Sequence, residues 1–228
     1  MRVVADIGRC NAGMGRAACL LLFLGLLSPT WAESWETVVD ENGLLVERRA
    51  YSGSELREIR GRIRLNTSLN AVMALLKDAD FNHQWVYRSV GARILQEEGY
   101  ARAYVHGVID APWPMQDRDT VVRFDYWQEQ SADITITITN VPDYLPQTGD
   151  YVRVPDFGGY WLLRPERDGW VEVTYQVFGD PGGWIPVWVA NYAAVTSVTR
   201  TLQAMGAAVE RYTNARSEFV REIDGSDS

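Results

Sequence analysis

Alternation of apolar and polar residues with period two dominates this chain and constrains its fold more than any other feature. Every second residue is apolar in 58–65, and the same alternation recurs in 134–139 and 171–177. Successive side chains of a β-strand point to opposite faces, so each of these segments has one buried face and one solvated face. The sequence therefore predicts about seven or more antiparallel strands. The weaker strand patterns cover 44–51, 101–109, 120–127 and 160–164.

Two segments change to helical spacing. The first follows Thr67 or Ser68, either of which can cap a helix, and its apolar stripe is Leu69, Val72, Met73 and Leu76. The second begins near Pro186 and runs to about Tyr212, with a stripe made of Ala190, Ala194, Val198, Leu202, Met205, Val209 and Tyr212. Such a long helix must lie along an apolar surface, and a curved sheet is the available partner. We therefore expect an α+β protein with the helix-grip fold: a curved antiparallel β-sheet wrapped around a long C-terminal α-helix, with an internal apolar cavity.

The N-terminal segment has the pattern of a signal peptide. Its apolar run, 17–27, is 11 residues long, whereas a bilayer core requires roughly 20. Small residues at positions 30 and 32 define a cleavage site after Ala32, and three basic residues precede the run: Arg2, Arg9 and Arg16. We expect residues 1–32 to be removed and the mature chain to be periplasmic or secreted. The alternative is a buried N-terminal helix or a retained anchor.

Cleavage would leave a mature chain without cysteine. Both cysteines, Cys10 and Cys19, lie in the segment that would be removed, so no disulfide is expected. Losing three arginines and one aspartate takes the net charge from −8 to −10. A protein with this net negative charge lacks the excess of basic residues that binds nucleic acid, so we do not expect a nucleic-acid partner. We assign residues 33–215 to one domain and 216–228 to a C-terminal tail.

A proline-rich loop carries the most specific motif in the chain. Pro112, Trp113 and Pro114 lead into an Arg118-Asp119 pair that opens the next strand. This run resembles the corresponding segment of START domains, the steroidogenic-acute-regulatory-related lipid transfer family. The resemblance extends from about Trp35 to Tyr212. It also includes 43–63, Trp85 after Phe81-Asn82-His83-Gln84, and Gly182-Gly183-Trp184-Ile185-Pro186 with Asn191.

The resemblance implies a cavity for a sterol, a phospholipid or another apolar ligand, closed by the final helix and by mobile loops. By position, 110–119 and 140–150 are the two expected lid loops. The predicted lid residues are Pro112, Trp113, Pro114, Arg118 and Asp119. Trp113 is interpreted as a residue of the lid or of a membrane contact. Arg118 and Asp119 are expected to act as an ion pair or a clamp between loop and strand, not as a catalytic couple.

The chain is rich in aromatic residues, with nine tryptophans and eleven tyrosines, and their faces suit an apolar ligand. For each aromatic taken singly, plain core packing is the alternative. The predicted cavity residues are Trp85, Tyr104, His106, Phe124, Trp161, Tyr175, Trp188, Tyr192 and Val198.

A buried acid and arginine found in several animal members of the family are absent here, because Val105 and Phe124 align at those positions. Whether His106 or Arg123 replaces them depends on a one-residue register.

We expect this protein to bind, and to transfer or sense, one lipid or other apolar small molecule. No catalytic residue, cofactor or metal is predicted. His83 and His106 lie on different elements with no second ligand at zinc spacing. We further expect a monomer that contacts membranes transiently.

Two alternatives stay open. A cyclase/aromatase-like enzyme of the helix-grip superfamily would need His106, Tyr104 or Arg118 in the cavity. A partner-binding module would have a filled core and an exposed apolar patch instead.

Overall fold

The computed structural model describes residues 34–223. The predicted signal peptide, 1–32, and the last five residues, 224–228, lie outside this range. The described chain forms ten β-strands and two α-helices. The strands are β1 (Glu36–Glu41), β2 (Leu44–Ala50), β3 (Arg57–Asn66), β4 (Ser89–Glu98), β5 (Arg102–Ile109), β6 (Arg118–Gln128), β7 (Ile134–Asn140), β8 (Val152–Arg153), β9 (Asp156–Glu166) and β10 (Trp170–Asp180). The helices are α1 (Leu69–Lys77) and α2 (Val187–Val209).

The strands form one sheet in the order β1-β2-β3-β10-β9-β7-β6-β5-β4, and every neighbouring pair in this order is antiparallel. Short β8 pairs with β6 in parallel. The first hairpin turns at Asn42 and Gly43, which have positive φ angles of 51° and 77°, as a tight two-residue turn requires. The sheet and the long final helix confirm the predicted helix-grip fold.

Helix α1 is capped at its N-terminus by two side chains. Ser68 Oγ accepts a hydrogen bond from the backbone N–H of Ala71 at 3.1 Å. The Glu222 carboxylate accepts from the backbone N–H groups of Leu69 and Asn70 at 3.1 and 2.8 Å. An acidic group is favourable at a helix N-terminus, because it accepts hydrogen bonds from free N–H groups and interacts with the positive end of the helix dipole. This contact attaches the C-terminal segment to the domain through Glu222. Residues 216–223, assigned to a tail from the sequence, therefore pack on the domain, and Val220 is buried.

Helix α2 lies mainly along β2 and β3. It crosses β3 at Gly61, where an added Cβ would lie 2.3 Å from Leu202 Cδ1 and 2.7 Å from Val198 Cγ1. The absence of a side chain at Gly61 is therefore what lets the helix approach the sheet. The C-terminal half of α2 is buried through Val198, Leu202, Met205 and Val209, while its N-terminal half is only partly covered. Within 34–223, neither helix is both long and apolar enough to cross a bilayer.

Candidate functional site

A cavity of about 300 Å³, partly open to solvent, lies between the sheet and the helices. This volume is at the lower end of the roughly 300–1,000 Å³ typical of ligand pockets. The sheet supplies most of the wall, and α2 covers it with Ala194, Ser197, Val198 and Thr201. Most of the strand side chains that line it are apolar or aromatic: Ala92, Ile94, Ala103, Val105, Ile109, Val122, Phe124, Tyr126, Ile136, Ile138, Phe157, Trp161, Tyr175 and Val177.

Strand register decides which side chains face this cavity. Ala103 pairs with Phe124, and Val105 pairs with Val122, so odd-numbered residues of β5 and even-numbered residues of β6 share the inner face. His106 and Arg123 therefore belong to the outer face, which settles the register that the sequence left open. Arg123 Nε donates to Asp125 Oδ2 at 2.7 Å on that face.

A stack of aromatic rings forms the middle of the cavity wall. The Trp161 and Tyr175 rings are nearly parallel, with centroids 3.8 Å apart, and the Trp85 ring lies 6.3 Å from Trp161. Burial raises the pKa of Tyr175, so its hydroxyl stays protonated. The indole Nε1 of Trp85, which also lines the cavity, is buried and has no hydrogen-bond partner among residues 34–223. The wall thus offers flat apolar faces together with hydrogen-bond donors.

The structure places five of the nine predicted cavity residues on the wall: Trp85, Phe124, Trp161, Tyr175 and Val198. The other four lie elsewhere. Tyr104 and His106 point to the outer face of β5, because they alternate with Ala103 and Val105. Trp188 and Tyr192 are 74% and 71% exposed. Tyr192 precedes Val198 by six residues, about one and two-thirds helical turns, so it cannot share the inward stripe.

His106, Asp119 and Arg153 form a buried cluster on the outer face. Arg153 donates from Nε to Asp119 Oδ1 at 2.9 Å and from Nη2 to Oδ2 at 2.8 Å, and His106 Nε2 donates to Oδ2 at 3.0 Å. Burial by itself would raise the pKa of Asp119, but the hydrogen bonds from Arg153 and His106 outweigh it and lower the pKa below the ordinary value. Asp119 therefore joins β6 to β8 through Arg153, whereas the sequence predicted an ion pair or loop-to-strand clamp made by Arg118 and Asp119.

The 140–150 loop is anchored to the same outer face. Arg153 Nη1 donates to the carbonyl oxygens of Pro142 and Leu145. The Tyr144 ring stacks on Tyr104 with centroids 4.3 Å apart, and its hydroxyl donates to Gln96 Oε1 at 2.6 Å. This loop was expected to be a second lid. It is tied instead to the side of the sheet that faces away from the cavity, and none of its residues lines the cavity.

The 110–119 loop has the exposed apolar tip that its sequence predicts. Pro112, Trp113 and Pro114 are all exposed, and Trp113 is 92% exposed. At the base of the loop, Asp117 Oδ1 accepts the backbone N–H of Ala111 at 2.8 Å. Arg118 is buried and donates to the Gln116 carbonyl oxygen. The loop is thus held at its base and free at its tip.

Sequence reasoning missed most of the polar residues that line the cavity, among them Lys77, Glu97 and Tyr126. Tyr126 could have been found, because it continues the even-numbered inner face of β6 beyond Phe124. Lys77 and Glu97 gave no such signal, since a charged residue at a helix end or in an edge strand is usually solvated.

Comparisons with known proteins agree with this architecture. The START domain model matches residues 32–215. An uncharacterised protein of Pseudomonas aeruginosa is 33% identical over 189 residues, which are 82% of this chain and 92% of that protein. The phosphatidylcholine transfer protein of Bos taurus is 25% identical over 203 residues, covering 86% of this chain and 92% of that protein.

Among solved structures, the STAR-related lipid transfer protein of Xanthomonas axonopodis, a fragment determined by crystallography, is similar at 35% identity with a TM-score of 0.73. The match covers 78% of this chain and 99% of that one. Family model, relatives and fold agree over nearly all of the described residues. The chain therefore belongs to the START domain family.

Proposed function

We propose that this protein takes up one hydrophobic molecule in its internal cavity and carries it, either to transfer it or to sense it. The observation that supports this most directly is the cavity itself, which has a mostly apolar lining and lies beneath α2. Burying a hydrocarbon chain contributes about 0.8 kcal/mol per methylene, so a lipid can be retained without a covalent bond. The bovine relative is named for phosphatidylcholine transfer and the crystallised relative for lipid transfer, which agrees with the proposal.

A cyclase or aromatase activity is not favoured. It would require Tyr104, His106 or Arg118 to reach a substrate in the cavity, and none of the three lines it. His106 and Asp119 are instead bound to each other on the outer face of the sheet. A partner-binding module with a filled core is equally disfavoured by the cavity.

Binding of a neutral fluorescent dye such as Nile red tests the proposal. Val105 lines the cavity, so Val105→Trp should fill it and weaken dye binding at least about tenfold. The matched control is Tyr104→Trp, which puts the same ring on the opposite face of the same strand. Equal binding by both variants and the unaltered protein would contradict the proposal, provided that all three unfold at similar temperatures.

Exposed aromatic residues support a transient membrane contact as part of this function. Trp113 is 92% exposed on the 110–119 loop and Trp184 is 90% exposed just before α2. Trp188 and Tyr192, on the first turns of α2, are also exposed. Tryptophan and tyrosine favour the boundary between water and hydrocarbon, so these side chains suit an approach to a lipid surface for ligand exchange.

Export is a separate part of the proposal. The basic residues and the short apolar run before Ala32 support a cleaved signal peptide and a periplasmic or secreted protein. The acidic net charge gives no support for a nucleic-acid partner. Cell fractionation with N-terminal sequencing tests the export: the mature protein should begin at Glu33 and be found outside the cytoplasm. A cytoplasmic chain that retains residues 1–32 would contradict it.

A further inference from the structure

The polarity of the cavity changes along its length. Strand β6 contributes Thr120, Val122, Phe124 and Tyr126 to the wall, a span of about 20 Å at roughly 3.3 Å per residue. Around Val122 and Phe124 the wall is hydrocarbon. At the Tyr126 end two charged residues join it: Lys77 from α1 and Glu97 from β4.

The Lys77 ammonium group at this end makes few strong contacts. Its Nζ lies 4.2 Å from the ring centroid of Tyr100 and 4.3 Å from that of Tyr126. Among residues 34–223 its only hydrogen bond is a long one of 3.5 Å to the Tyr100 carbonyl oxygen, and Glu97 Oε1 is 4.0 Å away. An ammonium group has three donors, so Lys77 can bind a further acceptor.

The Tyr126 hydroxyl is a second available donor at the same end. Tyr126 lines the cavity, and its ring centroid is 4.3 Å from Lys77 Nζ. Burial raises the pKa of Tyr126, so the hydroxyl stays protonated and can donate. Burial likewise lowers the pKa of Lys77, although the Glu97 carboxylate acts in the opposite direction. Both groups favour an acceptor oxygen, and a negatively charged one would also compensate the partly buried ammonium.

The size of the cavity limits what can carry this acceptor. A volume of about 300 Å³ is at the lower end of the range for ligand pockets, which favours a lipid with one hydrocarbon chain over a larger one with two. The other cationic lining residue, Arg57, is exposed at the start of β3 and therefore already solvated.

We infer that the ligand is a single-chain lipid with a carboxylate head, of the long-chain fatty acid class. Lys77 Nζ and the Tyr126 hydroxyl bind the carboxylate, while the chain runs along β6 past Phe124 and Val122 towards Thr120. This assignment rests on the proposed function and specifies the ligand of the same cavity. Glu97 opposes the head group electrostatically, but its side chain is 47% exposed and can turn towards solvent.

Competition against Nile red with palmitic acid and methyl palmitate tests the assignment, because the two share one hydrocarbon chain and the ester replaces the charged carboxylate by a neutral head. The protein should bind the acid about tenfold more tightly than the ester, the effect of one charge-assisted hydrogen bond. Lys77→Met keeps most of the side-chain length without the charge and should weaken binding of the acid far more than binding of the ester, so that most of this preference is lost. Tyr126→Phe should reduce the preference in part, and Glu97→Gln should strengthen it.

Three results separate this assignment from the proposed function. If the acid and the ester bind equally well, the assignment is wrong and the carrier function stands. If Lys77→Met weakens the acid and the ester alike, Lys77 acts on the structure and not on the head group, which also overturns the assignment. If the unaltered protein binds neither lipid nor the dye, both proposals fail.

Discussion

Asp119 on β6 and Arg153 on β8 form a two-point ion pair inside the protein, with contacts of 2.9 and 2.8 Å. Their side chains are only 7% and 4% exposed. The pair joins the strand that follows the 110–119 loop to the strand that follows the 140–150 loop. The two loops differ in their attachment: the 110–119 loop has an exposed tip, whereas the 140–150 loop is bonded to the sheet through Arg153.

Removing one partner of this pair should be strongly destabilising. Asp119→Ala leaves the Arg153 guanidinium buried without a counter-charge, and we expect a loss of about 3–5 kcal/mol in the free energy of unfolding. Urea denaturation followed by tryptophan fluorescence measures it. The control is Glu36→Gln, which removes the partner of Arg48 from an exposed pair and should change little. Equal losses for the two variants would contradict the clamp.

The same carboxylate should make stability depend on acid pH. The pKa of Asp119 is lowered in the folded protein, so its contribution is complete above the unfolded value near 3.8 and is lost as the pH falls through the folded value. Asp78 and Asp125 also have lowered pKa values, so the difference between two proteins is more informative than one curve. The stability gap between the unaltered protein and Asp119→Ala should be widest at pH 7 and clearly narrower at pH 3. A gap of constant size would show that Asp119 is not the titrating group.

Helix α2 should be displaced by a single methyl group at Gly61. An added Cβ would lie 2.3 Å from Leu202 Cδ1, and Leu202 is fully buried with little room to move. We expect Gly61→Ala to lower the free energy of unfolding by about 1–3 kcal/mol, the usual cost of overpacking. In β4, Gly91 has nothing within 4 Å of the same position, so Gly91→Ala is the control and should be tolerated. If Gly61→Ala leaves the free energy of unfolding unchanged, α2 does not pack closely against β3 at this position.

Binding to lipid vesicles should depend on the tip of the 110–119 loop. Neutral phosphatidylcholine vesicles are the appropriate surface, because the acidic chain would be repelled by anionic lipid. Trp113→Ala should weaken the partition of the protein into vesicles about tenfold, since an exposed tryptophan loses its apolar contact with the lipid. Trp127 is 68% exposed on the outer face of β6, and Trp127→Ala should leave the partition unchanged. If the two substitutions have equal effects, the 110–119 loop does not take part in membrane binding.

Much of the fold could be predicted because β3, β7 and β10 alternate without interruption. Strand β4 was missed for a physical reason. Its pairing with β5 shifts register between Ser89 and Gly91 and again between Ile94 and Gln96, and each shift reverses which residues face inward. Strand β1 has a similar shift between Thr37 and Val39, and β8 is only two residues long. Irregular or very short strands leave no sustained period in the sequence.

The site was predicted less completely than the fold. Trp161 and Tyr175 were placed correctly on the cavity wall because their strands pair in register. His106 was assigned to the cavity although it lies one residue from Val105, and one residue is enough to turn a strand side chain outward. Trp188 was assigned there by its position on α2, but the first turns of this helix are only partly covered. Lys77 could not be found, since its environment depends on rings from β6 and the segment after β4.

Native mass spectrometry of the protein mixed with a lipid extract tests most directly whether this chain encloses a ligand. The account predicts one added lipid mass per chain, absent from Val105→Trp and present in Tyr104→Trp. If the unaltered protein acquires no added mass at any lipid concentration, or acquires it equally in Val105→Trp, the cavity is not a binding site.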